Sequence, residues 1–338
     1  MKNTLITVLW IFFLSSCQKE VTPQYESSSS VASEGIIIIN EGNFQWGNGS
    51  MGIYNKENKI YQSRVFQNKN SLPLGDVPQS INNWNGKFYC PINSSGTIKI
   101  IDQSSFNYIG EIKNAGSPRY IERINDSLAL ITQLYNNQIL IANYQSMQVI
   151  DSIAIRNRTE QMISFLDQIL ITAPTSNQLY SFSKSTLSIT DSLTLEYGIS
   201  DIEIDTNNRI WCLATSMYQH SVEEKLFRIN PYTLELEQSI ALDSIYSYGS
   251  LAIMDTTPLF RKNQTLVSYE DSIIEWKTFQ NIYEIVVDPF TQEIFVADAS
   301  DFIANSKIQR LSSKGELIDS FEAGVNTTYF YFEKTLER

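Results

Sequence analysis

Apolar and polar positions along this chain alternate in short runs, and no long stretch places apolar residues at i, i+3, i+4 and i+7. Runs rich in Ile, Leu, Val, Tyr and Phe are separated by clusters of Asn, Ser, Asp and Gly, the pattern of strands joined by turns. The runs recur. Thr97–Lys113, Gln138–Arg156, Gln178–Glu196, Lys225–Asp243 and Lys307–Gly324 each read as strand, polar turn of about four residues, strand: a β-hairpin. A second hairpin precedes each, with an Asn/Asp-rich turn leading into Gly86-Lys-Phe-Tyr89, Asp126-Ser-Leu-Ala129 or Asn208-Arg-Ile-Trp211. Four strands in roughly 42 residues is the period of a propeller blade.

Unit starts fall near Gly75, Ser117, Thr159, Ile199, Ser247 and Asn281, which gives six complete units. Gly35 to Phe66 supplies about three further strands and Val325 to Phe332 one, so the two ends together predict a seventh unit. The expected fold is all-β: a seven-bladed β-propeller over residues 35–338, with four antiparallel strands per blade, closed by the N- and C-terminal segments in one blade. Such closure removes the sheet edges that would otherwise template aggregation. The unit from Ser247 to Phe279 is the weak point, being short and interrupted by Thr256-Thr257-Pro258.

The N-terminus reads differently. Lys2 precedes an apolar run, Thr4 to Leu14, too short for an ordinary membrane-spanning helix. Leu14-Ser-Ser-Cys17 resembles the lipobox of bacterial lipoproteins, which implies a signal peptide over residues 1–16 and a lipidated Cys17. Residues 17–34, with Pro23 and the run Ser27 to Ser30, have the composition of a flexible tether. Lys19 and Glu20, close behind the cysteine, resemble surface-export signals of Bacteroidota lipoproteins. The expectation is a lipid anchor at the outer membrane, exposed at the cell surface, with the periplasmic face as the alternative orientation.

Charge and chemistry narrow the function. The formal net charge is −12, without Lys/Arg clusters, which argues against nucleic acid or anionic lipid as a partner. The single histidine, His220, lies in the polar insertion Ser216 to Glu224, and with two distant strand cysteines it cannot complete a zinc site. No Gly-x-Ser-x-Gly elbow is present, and the glycines of Gly42 to Gly49 lack the strand-to-helix setting of a phosphate loop. Asp298 and Asp301 are close enough in sequence to hold a cation, although Asp at a strand end commonly caps a turn. No catalytic residue, metal site or cofactor is read from these residues.

Aromatic and amide residues stand out instead where a propeller gathers its inter-blade connections and its second-to-third-strand loops on one face. Candidate ligand-binding residues there are Asn43, Phe44, Trp46, Asn48, Asp76, Gln79, Arg119, Tyr120, Tyr135, Asn137, Glu160, Gln161, Tyr248 and Tyr283. Together they suit a large ligand with both apolar and hydrogen-bonding surface. Trp84, Trp211 and Trp276 are assigned to packing.

Asn40-Glu-Gly-Asn-Phe-x-Trp-Gly-Asn48, Pro73-Leu-Gly-Asp-Val-x-Gln-Ser80, Ser117-Pro-Arg-Tyr120, Glu160-Gln-Met162 and Asp298-Ala-x-Asp-Phe302 resemble a group of Bacteroidota propeller lipoproteins, YncE-like, surface-layer-type and DUF5074-like. The resemblance covers about residues 35 to 332. It implies a propeller similar to surface-exposed cobalamin-binding lipoproteins, which pass the vitamin to a TonB-dependent outer-membrane transporter. Phe44, Trp46, Arg119, Tyr120 and Tyr135 would then line a corrinoid site. A scaffold that binds protein or glycan through the rim, and a calcium-dependent hydrolase of lactone type, are the alternative readings.

Cys90 and Cys212 fall on the second strands of units three blades apart, beyond the roughly 7 Å Cα separation that a disulfide tolerates. Both are expected to be buried thiols. Alkylation of the denatured, unreduced chain followed by peptide mapping should label both; two blocked thiols would mean a disulfide.

Overall fold

The computed structural model describes residues 35–155, 157–196, 198–214, 224–242 and 249–333. They form seven four-stranded antiparallel sheets. Blade one holds β1 (Gly35–Asn40), β2 (Ser50–Asn55) and β3 (Ile60–Gln62) from the N-terminal side, with β28 (Thr327–Phe332) as its innermost strand. Blade two is β4 (Asn82–Trp84), β5 (Lys87–Ile92), β6 (Thr97–Asp102) and β7 (Tyr108–Ile112). Blade three is β8 (Pro118–Arg123), β9 (Leu128–Gln133), β10 (Gln138–Asn143) and β11 (Gln148–Ala154). Blade four is β12 (Met162–Phe165), β13 (Gln168–Thr172), β14 (Gln178–Ser183) and β15 (Ser188–Thr194). Blade five is β16 (Ile199–Ile204), β17 (Ile210–Ala214), β18 (Lys225–Asn230) and β19 (Glu235–Ala241). Blade six is β20 (Leu251–Met254), β21 (Thr257–Lys262), β22 (Thr265–Tyr269) and β23 (Ile273–Thr278). Blade seven is β24 (Ile282–Val287), β25 (Ile294–Asp298), β26 (Asn305–Leu311) and β27 (Leu317–Val325). The expected seven-bladed propeller, closed by both ends of the chain, is the fold observed.

Each blade buries both faces, and the packing follows from strand alternation. Along β1, Ile36 and Ile38 pack with Phe295 and Ile308 of blade seven, while Ile37 and Ile39 pack with Phe88 and Cys90 of blade two. A strand buried on both sides reads as an unbroken apolar run, hence Ile36-Ile-Ile-Ile39. One such apolar cluster fills each of the seven boundaries between neighbouring blades among the described residues. Cys90 and Cys212 lie in two of these clusters as buried free thiols, as expected.

The outer hairpins share a device that explains their polar turns. Asn55 and Asn143 each accept two backbone N–H bonds from the turn that follows, at 2.9–3.0 Å. A left-handed residue then ends the turn: Lys59, Phe106, Met147, Leu187 and Leu234 all have φ between 55° and 58°. The conformation is unusual for bulky side chains. It is held at Phe106 and Leu234 by burial of the side chain. One extra residue then bulges from the outermost strand of blades two to seven, at Ile109, Ile150, Thr190, Glu237, Trp276 and Ile318.

Two details depart from the sequence pattern. A single helical turn and a half, α1 (Val65–Asn70), follows blade one and buries Val65 and Phe66 against it, a length too short for helical periodicity to declare itself. Thr256-Thr257-Pro258 does not break its unit: Asp255 and Thr256 make a two-residue hairpin turn, and Pro258 sits within β21 opposite Ile253.

The ring is pinned where its ends meet. Asn40 is fully buried; its amide donates to Ser50 Oγ (3.1 Å) and Tyr61 OH (3.3 Å), and its carbonyl accepts from Gly324 N (3.0 Å) and Thr327 Oγ1 (2.6 Å). One side chain thus joins four strands of blade one to the last strand of blade seven. Because removing it strands several buried partners, Asn40→Ala is expected to lower unfolding free energy by about 1–3 kcal/mol in urea titrations. An unchanged midpoint would mean the junction is held elsewhere.

Candidate binding face at the mouth of the central channel

The second-to-third-strand loops and the inter-blade connections emerge together around one mouth of the channel. Here the innermost strands are irregular at a common level. Extra residues break the pairing at Arg119–Tyr120 in β8, Ser200 in β16, Tyr283 in β24 and Thr328 in β28. A bulge turns side chains out of strict alternation. It delivers Arg119, Tyr120, Tyr283 and Thr328 to the mouth, above a cavity of about 400 Å³ that Tyr120, Gln161, Glu203, Glu284 and Tyr329 help to line.

A belt of polar bonds runs round this level and crosses every blade boundary. Tyr283 donates to Glu41 at 2.6 Å, and Gln79 donates to Thr328 at 3.1 Å. Arg119 donates to Gln79 on one side and to Glu160 on the other, the latter at 2.6 Å. Arg158 holds the second Glu160 oxygen at 2.8 Å. The Gln161 carbonyl accepts Ile202 N–H at 2.9 Å, Leu251 N–H donates to Asp201, and Ser250 donates to Glu284. Burial of charge without a partner is costly, and each of these charges has one.

The electrostatics are uneven around the ring. Burial works against the Arg119 charge, but Glu160, Tyr120 and Glu41 outweigh it and raise its pKa. Glu41 is pushed up by burial, with Arg119 opposing. Across the channel the acids have less relief. Burial pushes Asp201 up to about 7 against the bond from Ser200, and Glu203 up to about 8 with the Asp201 charge adding to it. Glu284 also reaches about 8 through burial, only partly offset by Ser250.

The residues singled out from the sequence separate into two groups. Gln79, Arg119, Tyr120, Glu160, Gln161 and Tyr283 form the floor. At the rim, Phe44, Trp46 and Tyr135 stand exposed, at 63%, 74% and 75% of their surface. Asn43, Asn48 and Asp76 brace the rim loop: Asn43 and Asn48 bond to each other twice, and Asp76 accepts the N–H groups of Gln45 (3.0 Å) and Gly47 (3.3 Å). Gly42, at φ +77°, leaves no room for a Cβ, which would lie 2.3 Å from Asn48 Oδ1. Asn137 is exposed beside Tyr135. Tyr248, His220 and Cys17 lie outside the described residues. Phe302 and Ile303 extend the exposed apolar arc from the neighbouring blade, where Asn43 Nδ2 donates to Phe302 O at 3.2 Å.

Asp298 and Asp301 are occupied by backbone. Asp298 accepts from Gln280, Asn281 and Ser300, and Asp301 from Ile303 and Ala304, at 2.8–3.0 Å. They cap the loop that carries Phe302. Among the described residues no group of three or more His, Cys, Asp or Glu is placed to hold a metal ion.

Sequence reasoning missed Glu41, Asp201, Glu203 and Glu284. The signal was available in the first strands of three units, where Glu122, Glu203 and Glu284 interrupt runs otherwise fit for a core. Such a strand faces a channel on alternate residues.

A family profile described as "Domain of unknown function (DUF5074)" matches residues 34–310. No curated protein matches the chain by sequence. Among solved structures, a quinonprotein alcohol dehydrogenase-like protein from Bacteroides thetaiotaomicron superposes with a TM-score of 0.72 at 13% identity, over 89% of this chain and 78% of that one. A functionally unknown protein from Desulfotomaculum acetoxidans gives 0.64 at 9% identity, over 89% and 99%. Hydrazine synthase of Kuenenia stuttgartiensis gives 0.62 at 9% identity, over 75% and 88%. At such identities these likenesses concern the fold alone.

The channel acids make a pH prediction. Their folded pKa values of about 7 to 8 exceed the ordinary carboxyl value near 4, so between these limits the folded state holds protons that the unfolded chain has released. Their contribution is complete below about pH 4 and is lost as pH rises through 7–8. The thermal midpoint should fall from about pH 6 to about pH 9, and Glu284→Gln should flatten that slope. A slope unchanged in Glu284→Gln would remove this assignment.

Proposed function

The chain belongs to the DUF5074 family of domains of unknown function, and we propose that it is a non-enzymatic capture protein that binds a corrinoid across the channel mouth. The observation that carries this reading is the rim. Phe44 and Trp46 are held in water by a loop whose backbone is braced by Asp76, Asn43 and Asn48. Exposed aromatics on a pre-organised loop are characteristic of binding surfaces, since little ordering entropy is lost on contact.

Tyr135 stands two blades away from them, and Phe302 and Ile303 one blade to the other side, so the arc frames one flank of the mouth. A corrinoid is a broad apolar ring edged with amides. Its faces suit the aromatic arc, and its amides suit Asn43, Asn137 and the polar floor. The floor charges support binding over catalysis, because Arg119, Glu160 and Glu41 are engaged with one another rather than poised toward the opening. The sequence pattern around Cys17 supports a lipid-anchored position at the outer membrane, where captured ligand would pass to a TonB-dependent transporter.

Calorimetry with cyanocobalamin and with cobinamide is the direct test. Saturable binding that survives chelation of metal is expected. Trp46→Ala and Tyr135→Ala should each weaken it at least about tenfold, near 1.4 kcal/mol, without moving the ligand-free thermal midpoint. Absence of heat with both corrinoids would remove the reading.

A further inference from the structure

On the opposite side of the ring, the first-to-second-strand turns of blades five and six and the outer turn of blade six enclose a groove of about 760 Å³. This is within the size range of ligand sites. One flank is a built array. Glu237, the residue that bulges from β19, receives Arg209 at 3.0 Å and lies 3.3 Å from Arg228. The Arg228 guanidinium sits over the Trp211 ring at 5.7 Å, and the indole N–H donates to Asp205 at 2.9 Å. Asp205 also accepts the N–H groups of Asn207 and Arg209, so the turn that forms this wall is fixed.

Within the groove, the side chains of Asn207, Gln238, Glu270 and Asp271 hydrogen-bond to no described residue. They offer amides and carboxylates side by side with two guanidiniums. We infer that this groove is a second ligand site, which binds a neutral oligosaccharide. The mixture of groups decides the class. An anion would meet the carboxylates of Asp205, Glu237, Glu270 and Asp271, and a basic peptide would meet Arg209 and Arg228. Sugar hydroxyls donate and accept at once, so each satisfies both kinds of neighbour. Charged partners strengthen such bonds, and the half-buried Tyr269 gives the sugar ring an apolar edge. The groove is independent of the channel mouth and shares no residue with it.

The test is calorimetry or saturation-transfer NMR on the full chain with cello-, xylo-, manno-, malto- and chitohexaose at about 5 mM each. Binding of at least one is expected, unaffected by EDTA and retained in Trp46→Ala. Gln238→Ala and Asp271→Asn, both solvent-accessible, should each weaken it about fivefold or more. Failure of all five sugars overturns the proposal, as does binding that ignores both groove variants. Preferential binding of hexalysine or of a polyanion at the same groove overturns the ligand class. Loss of corrinoid binding would leave these outcomes untouched.

Discussion

The pairing of β1 with β28 is the contact on which the other six blades depend. A blade carries apolar side chains on both faces and cannot be satisfied alone, so each interface is secure only when the ring is complete. The Asn40–Thr327 bond spans 287 residues. Loop-closure entropy grows only logarithmically, so a loop of that length costs about 1 kcal/mol more to close than one of a hundred residues. Burying Ile36 to Ile39 between two neighbours is worth about 1.5–3 kcal/mol for each side chain. Closing the whole loop costs about 5–6 kcal/mol, less than burial of the four isoleucines returns, and Asn40 adds orientation to an association that apolar burial favours.

The same requirement shapes the mouth. Seven inner strands converge there, and several polar groups at that level, among them Gln79, Glu160 and Asp201, are buried. Arg119, Glu160, Gln79 and Glu41 solve this by bonding across blade boundaries. Asp201, Glu203 and Glu284 solve it less completely and hold on to protons to higher pH. Floor and rim thus differ: the charges bond across blade boundaries, and aromatic side chains stand exposed on the loops above.

Much of this was legible in the chain. The alternation and the repeat of about forty residues reveal the blades, and the complementary end segments reveal their closure. Asn55 and Asn143 announce their turns because an amide that caps a turn acts within three residues of itself. The mouth was legible only in part, since Arg119, Glu160 and Trp46 look alike as polar or aromatic loop residues. Bulges in β8, β24 and β28 turn Arg119, Tyr120, Tyr283 and Thr328 to the floor, and the residue pattern of those strands does not mark them. Pro258 misled for a related reason: proline is tolerated opposite Ile253, and only the pairing shows that its missing N–H is not needed there.

The position of β1 within its sheet has a mechanical consequence. The strand at the N-terminal end of the ring is not an edge: β2 pairs with it over six residues on one side and β28 over five on the other. A pull applied at Gly35 along the strand must slide it against both ladders together, in shear, and cannot peel it open one bond at a time. Force arriving from the N-terminal side would meet a strand held on both flanks, and unzipping would have to begin elsewhere.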